Sequence, residues 1–387
     1  MTIINNLKSR TWAEINLFNL EKNYIELRNR VPKSAKVCCV VKADAYGHGA
    51  IQVARCLENA GADFFAVSNI DEALQLRNAN IVSPILILGY TPPKRVFELA
   101  QNNISQCIYS SEYAKAVAKE ARAKKLTVSV HIKIDAGMGR LGFVCRHGEA
   151  IDEIAEVCGY SCFSVDGIFT HFPTADGGEK SEEITHTQYD IFLKTVKALE
   201  GRGISFKLRH CANSATAIDY PEYSLDMVRV GIALYGVLPS ENLKNKLRLY
   251  DTVALKTVIS NIKTARAGDS IGYGADYVAE HPITVATLPI GYADGFRRIN
   301  YINQTKLCVN GRMCDIVGRV CMDQVMIDVS GIEGLRVGDE VTVFGDNQGT
   351  ALSDFAKKNE TIPYEILCSI GARVPRLYRL EEDGELV

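Results

Sequence analysis

No apolar run in this 387-residue chain is long enough to cross a bilayer; even the stretch from Pro84 to Gly89 is far too short, and the opening MTIINNLKSR has no apolar core of signal-peptide length. The expectation is a protein that stays in the cytoplasm. Charge of one sign is also missing. A formal net charge of −2 provides no basic stripe for nucleic acid and no polybasic segment for an anionic membrane, so a small molecule is the expected ligand. Twelve cysteines are scattered without a Cys-x-x-Cys pair, and the seven histidines show no ligand spacing, which argues against a disulfide scaffold and a structural zinc site. No metal is expected. Most of the cysteines read as reduced core residues; Cys38 and Cys39 sit inside an apolar run.

What is present is a long alternation. The length suits about two domains. From about Lys36 to Gly236, short β-branched or apolar runs alternate with stretches of helical period, the pattern of parallel strands joined by crossover helices. The strand candidates are Val37 to Val41, Phe64 to Val67, Ile85 to Leu88, Gln106 to Tyr109, Thr127 to Ile134, Val165 to Thr170, Phe206 to Arg209 and Met227 to Val230. Helices are predicted at Ala50 to Asn59, Ile70 to Arg77, Lys94 to Gln101, Glu112 to Ala123, Gly148 to Val157, Glu182 to Glu200 and near Ser214 to Ile218. Eight such strands close into a (β/α)8, or TIM, barrel. A doubly wound open sheet is the rival, but no Gly-x-Gly-x-x-Gly turn follows the first strand. Barrel chemistry belongs at the carboxyl ends of the strands, and those ends carry Lys42, Ser68, Tyr90, Lys133 with Asp135 and Arg140, His171, His210 with Asn213 and Ser214, and Arg229.

After Leu238 the pattern changes to short alternating strands cut by glycine turns. They are Val253 to Ser260, Ile283 to Leu288, Lys306 to Val309, Cys314 to Val317, Val325 to Val329 and Glu340 to Phe344. The expected division is therefore an N-terminal strand within 1–17 that pairs with the later domain, a barrel at 18–240, and a β-rich C-terminal domain at 241–387.

Lys42 directly follows the apolar run VCCVV. A lysine leaving a hydrophobic strand for a barrel mouth is partly desolvated, which disfavours its ammonium form and frees the amine for imine formation. The alternative is a lysine that reaches the surface or pairs with Asp44. The surrounding segment VVKADAYGHG at 40–49 resembles the cofactor-binding signature of the alanine racemase family. The resemblance continues through KIDAGMGRLG at 133–142, THF at 170–172, HCANSA at 210–215, RVGIALYG at 229–236, GYGA at 272–275, GYADGF at 291–296, GRVCMDQ at 318–324 and TIPYE at 361–365.

The resemblance implies a pyridoxal 5'-phosphate enzyme that interconverts L- and D-alanine for cell-wall peptidoglycan, working as a homodimer with shared active sites. By that resemblance Lys42 carries the cofactor, while Tyr46, Ser214, the amides of Gly231 and Ile232, and Tyr364 form its phosphate cradle, with Asn213 beside them. Arg229 faces the pyridine nitrogen and keeps it unprotonated, which weakens the electron sink and favours return of the proton over transamination. His171 hydrogen-bonds Arg229. Two bases are implied, Lys42 on one face of the substrate and Tyr273 of the partner subunit on the other. A tyrosine needs nearby cations or donors to act as a base near neutrality. Arg140 contacts the cofactor's phenolic oxygen and the substrate carboxylate, and Met322, like Tyr273, acts across the dimer, offering that carboxylate its backbone amide. Tyr292, Arg319 and Asp323 match the access corridor. Lys133 matches a lysine that is often carbamylated, a change that would relieve its repulsion with Arg140.

Departures from the family pattern are Ala136, Val230, Pro173 and Pro363; the last is expected to stiffen the loop bearing Tyr364. Three other readings stand beside alanine racemisation. The first is a serine or broader amino-acid racemase, although a tyrosine at 364 favours a methyl side chain. The second is an amino-acid decarboxylase, which would place a glutamate where Arg229 stands. The third is a non-catalytic pyridoxal-phosphate carrier, which would lack the β domain.

Overall fold

The structure is a computed structural model that describes residues 8, 10–345, 349–382 and 384–386, apart from the side chain of Lys180. Residues 1–7 and 9 of the expected N-terminal segment and residue 387 lie outside the described residues. The chain forms two compact units, one of Glu21–Ala45 and Gly49–Leu249, the other of Met1–Leu20, Tyr46–His48 and Tyr250–Val387.

The first unit is a parallel sheet of eight strands in the order Met227–Val230, Lys36–Val40, Phe64–Val67, Ile85–Ile87, Ile104–Ile108, Val128–Asp135, Phe163–Phe169 and Leu208–His210. Its two ends meet through backbone bonds from Asp226 N to Arg209 O (3.1 Å) and from Arg229 N to Ala212 O (3.0 Å), so the sheet is a nearly closed (β/α)8 barrel. Phe64–Val67, Ile85–Ile87 and Met227–Val230 are buried at every position, as strands covered on both faces must be. The crossover helices are Ala50–Asn59, Ile70–Asn78, Val96–Gln101, Ser111–Ala123, Ile151–Cys158, Glu182–Glu200 and Ser214–Asp219. Three start on a side-chain cap. Asn69 accepts from Asp71 N and Glu72 N, Ser110 from Tyr113 N, and Asn213 from Thr216 N, each worth about 1 kcal/mol.

Two helix starts differ from expectation by more than one residue. The helix expected from Gly148 begins at Ile151, because Gly148 has φ +83°, which a right-handed helix cannot use. The one expected from Lys94 opens as a 3-10 turn at Pro93–Arg95, where proline pre-sets φ without offering an N–H. A helix at Leu17–Arg30, not foreseen, precedes the first barrel strand.

The second unit contains a six-stranded sheet ordered Arg312–Asp315, Lys306–Val309, Glu340–Phe344, Val253–Val258, Thr11–Asn16 and Arg376–Arg379, and a three-stranded sheet of Asn261–Ala265, Ile283–Leu288 and Val325–Asp328. Thr11–Asn16 runs antiparallel to Val253–Val258 and parallel to Arg376–Arg379. The strand expected at Cys314 to Val317 instead begins at Arg312. Asn310 and Gly311 both take positive φ, 48° and 76°, and close a two-residue hairpin that pairs Val309 with Arg312. Among the described residues no helix is long and apolar enough to cross a membrane.

Candidate active site

Lys42 lies half-buried just past the end of the first barrel strand. Immediately after it the backbone turns left-handed. Ala43, Asp44, Ala45 and Tyr46 have φ of 52°, 52°, 53° and 54°. Side chains in this conformation cost about 1–2 kcal/mol per residue, so a run of four persists only where other bonds over-determine it. Those bonds are present. One oxygen of the Glu72 carboxylate accepts from Ala43 N (2.9 Å) and the other from Ser68 N (2.7 Å). Asp44 accepts from Ala50 N through its carboxylate (2.7 Å) and from Gly49 N through its carbonyl (3.0 Å), and Ala45 N donates to Val41 O (3.0 Å).

Across the barrel, the alternation along Val128–Asp135 points His131 and Lys133 to the same side. Both are buried, as is Arg229 on the last strand. The Lys133 ammonium sits 4.6 Å from the centre of the Phe169 ring, and the Arg229 guanidinium 5.3 Å from it. Phe169 in turn stacks on His210 at 4.7 Å and 4°. Burial lowers the Lys133 amine to about 7, with the charge of Arg229 adding to the effect. His171 stands far below its ordinary range, first through desolvation and then through the charges of Arg229, Lys133, Arg140 and Lys42. Four basic side chains from three strand ends therefore act on one imidazole.

Arg229 is held by neutral acceptors. It donates to Thr170 O (2.8 Å), His210 O (3.2 Å), Cys211 O (3.3 Å), His171 Nδ1 (3.4 Å) and His210 Nδ1 (3.0 Å). Among the described residues no carboxylate pairs with it; the groups that raise its affinity for a proton are cysteines. A guanidinium only donates, so His210 accepts at Nδ1 and carries its proton on Nε2. That nitrogen lies 2.9 Å from His131 Nδ1, which must accept, leaving the His131 proton on Nε2 without a partner among the described residues. Both rings are neutral. Burial, opposed by Asp166 and reinforced by Arg229, drops His131 to about 4, and burial with Arg229 lowers His210 well below its usual value.

The expected phosphate cradle is partly assembled in this unit. Gly231 N donates to the buried Ser214 Oγ (2.9 Å). Ile232 opens the next turn, Ile232–Tyr235. Asn213 accepts from Thr216 N (3.0 Å) and donates to Phe172 O (3.1 Å), which joins the ends of the sixth and seventh strands. Arg140 is exposed on the loop after the fifth strand.

The remaining expected residues lie in the other unit, in three groups. Tyr46 is buried with its ring centre 6.0 Å from that of Tyr364. Pro363 was expected to stiffen a loop; it is instead the first residue of the helix Pro363–Ser369, and Tyr364 follows it in the first turn. Tyr273 is 69% exposed in a turn bounded by Gly272 and Gly274, both at positive φ. A Cβ on Gly274 would come within 3.2 Å of the Arg319 guanidinium, so Arg319 covers that turn; it also pairs with Asp276. The third group is Tyr292, 44% exposed, Met322, 54% exposed, and Asp323, which pairs with Arg373 at 2.7 Å.

Sequence reasoning assigned no role to Glu72, His131 or Arg373, and noted His210 only as a strand end. His131 carried a readable signal, since it stands two residues before Lys133.

Comparison with known proteins places the sequence in a family. A family model described as alanine racemase, N-terminal domain, matches residues 15–239, and one described as alanine racemase, C-terminal domain, matches residues 252–378. The alanine racemase of Desulforamulus reducens is 42% identical over 373 residues, 96% of this chain and 100% of that protein. The solved alanine racemase of Clostridium difficile 630 superposes with a TM-score of 0.92 at 41% identity, covering 98% of this chain and 97% of that one. That of Bacillus anthracis with bound L-Ala-P gives 0.91 at 34% identity, over 97% and 96%. Matches of this extent on both parts of the sequence show that the chain belongs to the alanine racemase family.

Proposed function

We propose that the protein interconverts L- and D-alanine with pyridoxal 5'-phosphate carried on Lys42. The observation that carries this reading is the buried Arg229, held only by neutral acceptors among the described residues and acting on His171 together with Lys42, Lys133 and Arg140. That donor set suits an anionic ring with an aldehyde for the lysine, a nitrogen acceptor for the guanidinium and a phosphate for Ser214 with Gly231 and Ile232. Asn213 orders the turn beside them, and Tyr46 and Tyr364 complete the phosphate contacts. Bound there, the cofactor supplies the electron sink that makes the α-proton of an attached amino acid removable. Arg229 donates without surrendering its proton near neutrality, which keeps that sink weak and favours reprotonation.

Lys42 moves a proton on one face and, in a homodimer, the partner subunit's Tyr273 serves the other. Arg140 and the Met322 amide hold the substrate carboxylate, and Tyr292, Arg319 and Asp323 line its access. Lys133, with a pKa of about 7, is substantially unprotonated at neutral pH. It can attack carbon dioxide, forming an N–C bond and releasing a proton, and the resulting carbamate is an anion suited to Arg140. Mass spectrometry under native conditions with labelled bicarbonate would detect it.

The deciding experiment incubates holoprotein with L-alanine in deuterated water. D-alanine carrying α-deuterium is expected, and no inversion of either enantiomer would overturn the reading. Serine run in parallel is expected to turn over more slowly, because Tyr364 favours a methyl side chain.

A further inference from the structure

The β-rich unit holds a buried ionic knot outside the groups assigned above. Asp294 is fully buried, and its carboxylate takes two arginines at once. Arg10 donates from both terminal nitrogens (2.8 and 2.8 Å), and Arg373 from Nε and one terminal nitrogen (2.7 and 3.1 Å). The amide of Gly291 adds a further bond at 3.0 Å. Burial pushes the Asp294 carboxyl up, but the bonds from Arg10, Arg373 and Gly291 outweigh it and hold the group below the usual carboxylate range. One arginine neutralises one carboxylate. The second reaches further, since the terminal nitrogen of Arg373 that bonds Asp294 also donates to Asp323 at 2.7 Å.

The knot ends a turn that meets the Met322 loop backbone to backbone. Tyr292 N donates to Cys321 O (3.1 Å) and Ala293 N to Met322 O (3.0 Å). A Cβ on Gly291 would come within 2.4 Å of both carbonyl oxygens, and one on Gly295, already at φ +103°, within 2.4 Å of Ser369 O. The turn is wedged on both sides. In a trans peptide the N–H and C=O point opposite ways, so pinning the Cys321 carbonyl to Tyr292 turns the Met322 N–H to the far side.

We propose that Asp294, clamped between Arg10 and Arg373, is a positioning residue that aims the Met322 amide at the substrate carboxylate, with Arg373 carrying the coupling to the 321–323 loop. This rests on the functional reading above, in which that amide receives the carboxylate.

The test compares Arg10→Lys and Arg373→Lys holoenzymes. Each loses one fork on Asp294, but only Arg373→Lys also loses the link to Asp323. Both are expected to lower the melting temperature similarly. Arg373→Lys raises KM for both alanine enantiomers and the inhibition constant of propionate about tenfold, with kcat changed less than about threefold, whereas Arg10→Lys leaves KM within about twofold. Asp323→Asn, which keeps an acceptor for Arg373, gives a KM closer to the unsubstituted enzyme than Asp323→Ala. Equal KM values in the two arginine variants, or an effect confined to kcat, overturns the positioning role while leaving the reaction intact. If unsubstituted holoenzyme does not racemise alanine, the functional reading fails and this inference fails with it.

Discussion

Lys133 is a buried amine whose proton affinity falls on folding, from the ordinary 10.5 to about 7. The unfolded chain therefore binds the extra proton across that interval, and stability rises with pH from about 7 to 10.5, with the full penalty present below 7. Lys133→Met is expected to stabilise the apoprotein by about 1–4 kcal/mol at pH 6 and by much less at pH 10, as a higher melting temperature at pH 6 and a smaller rise at pH 10 would show. His131 and His210 make a contrasting pair. His210→Leu strands a nitrogen of the charged Arg229 and should cost about 1–3 kcal/mol, whereas His131→Phe strands only the neutral Nε2–H of His210, while removing a proton with no acceptor among the described residues, and should cost less by urea midpoint. At this scale the sequence was legible where chemistry repeats locally, as in the lysine after VCCVV. Arg10 and Asp294 lie 284 positions apart, and no spacing rule joins residues so distant.

At the scale of the element, the left-handed segment after Lys42 is the least legible feature. Nothing in Ala-Asp-Ala-Tyr announces positive φ, because the cause lies in the Glu72 carboxylate and in Asp44's bond to Ala50. Ala43→Gly is expected to stabilise the fold by up to about 1 kcal/mol by removing a Cβ from that conformation, and Ala43→Val to destabilise it by more than about 1 kcal/mol. Denaturant titration would check both, and a lower kcat in Ala43→Gly would show that stiffness there serves Lys42. The barrel strands were readable to within two residues at most boundaries, since runs such as Phe64–Val67 and Met227–Val230 are buried on every side. The helix Leu17–Arg30 was not, because its sequence is polar on average and carries no acidic residue in its first turn.

For the whole molecule, the proposed sharing of Tyr273 between subunits makes a quantitative demand. Lys42→Ala and Tyr273→Ala proteins, each inactive alone, should recover roughly a quarter of normal activity after mixing under conditions that exchange subunits, because half the pairs are mixed and each mixed pair keeps one intact site. Recovery near zero would mean that both groups serve from the same chain. A last consequence follows from the cations gathered around His171. Like charges held together in a dry interior repel, and an anion that settles among them repays its host in stability by mass action. With the proposed cofactor as that anion, the loaded polypeptide should resist proteases longer than the empty one, as limited proteolysis of both forms would show.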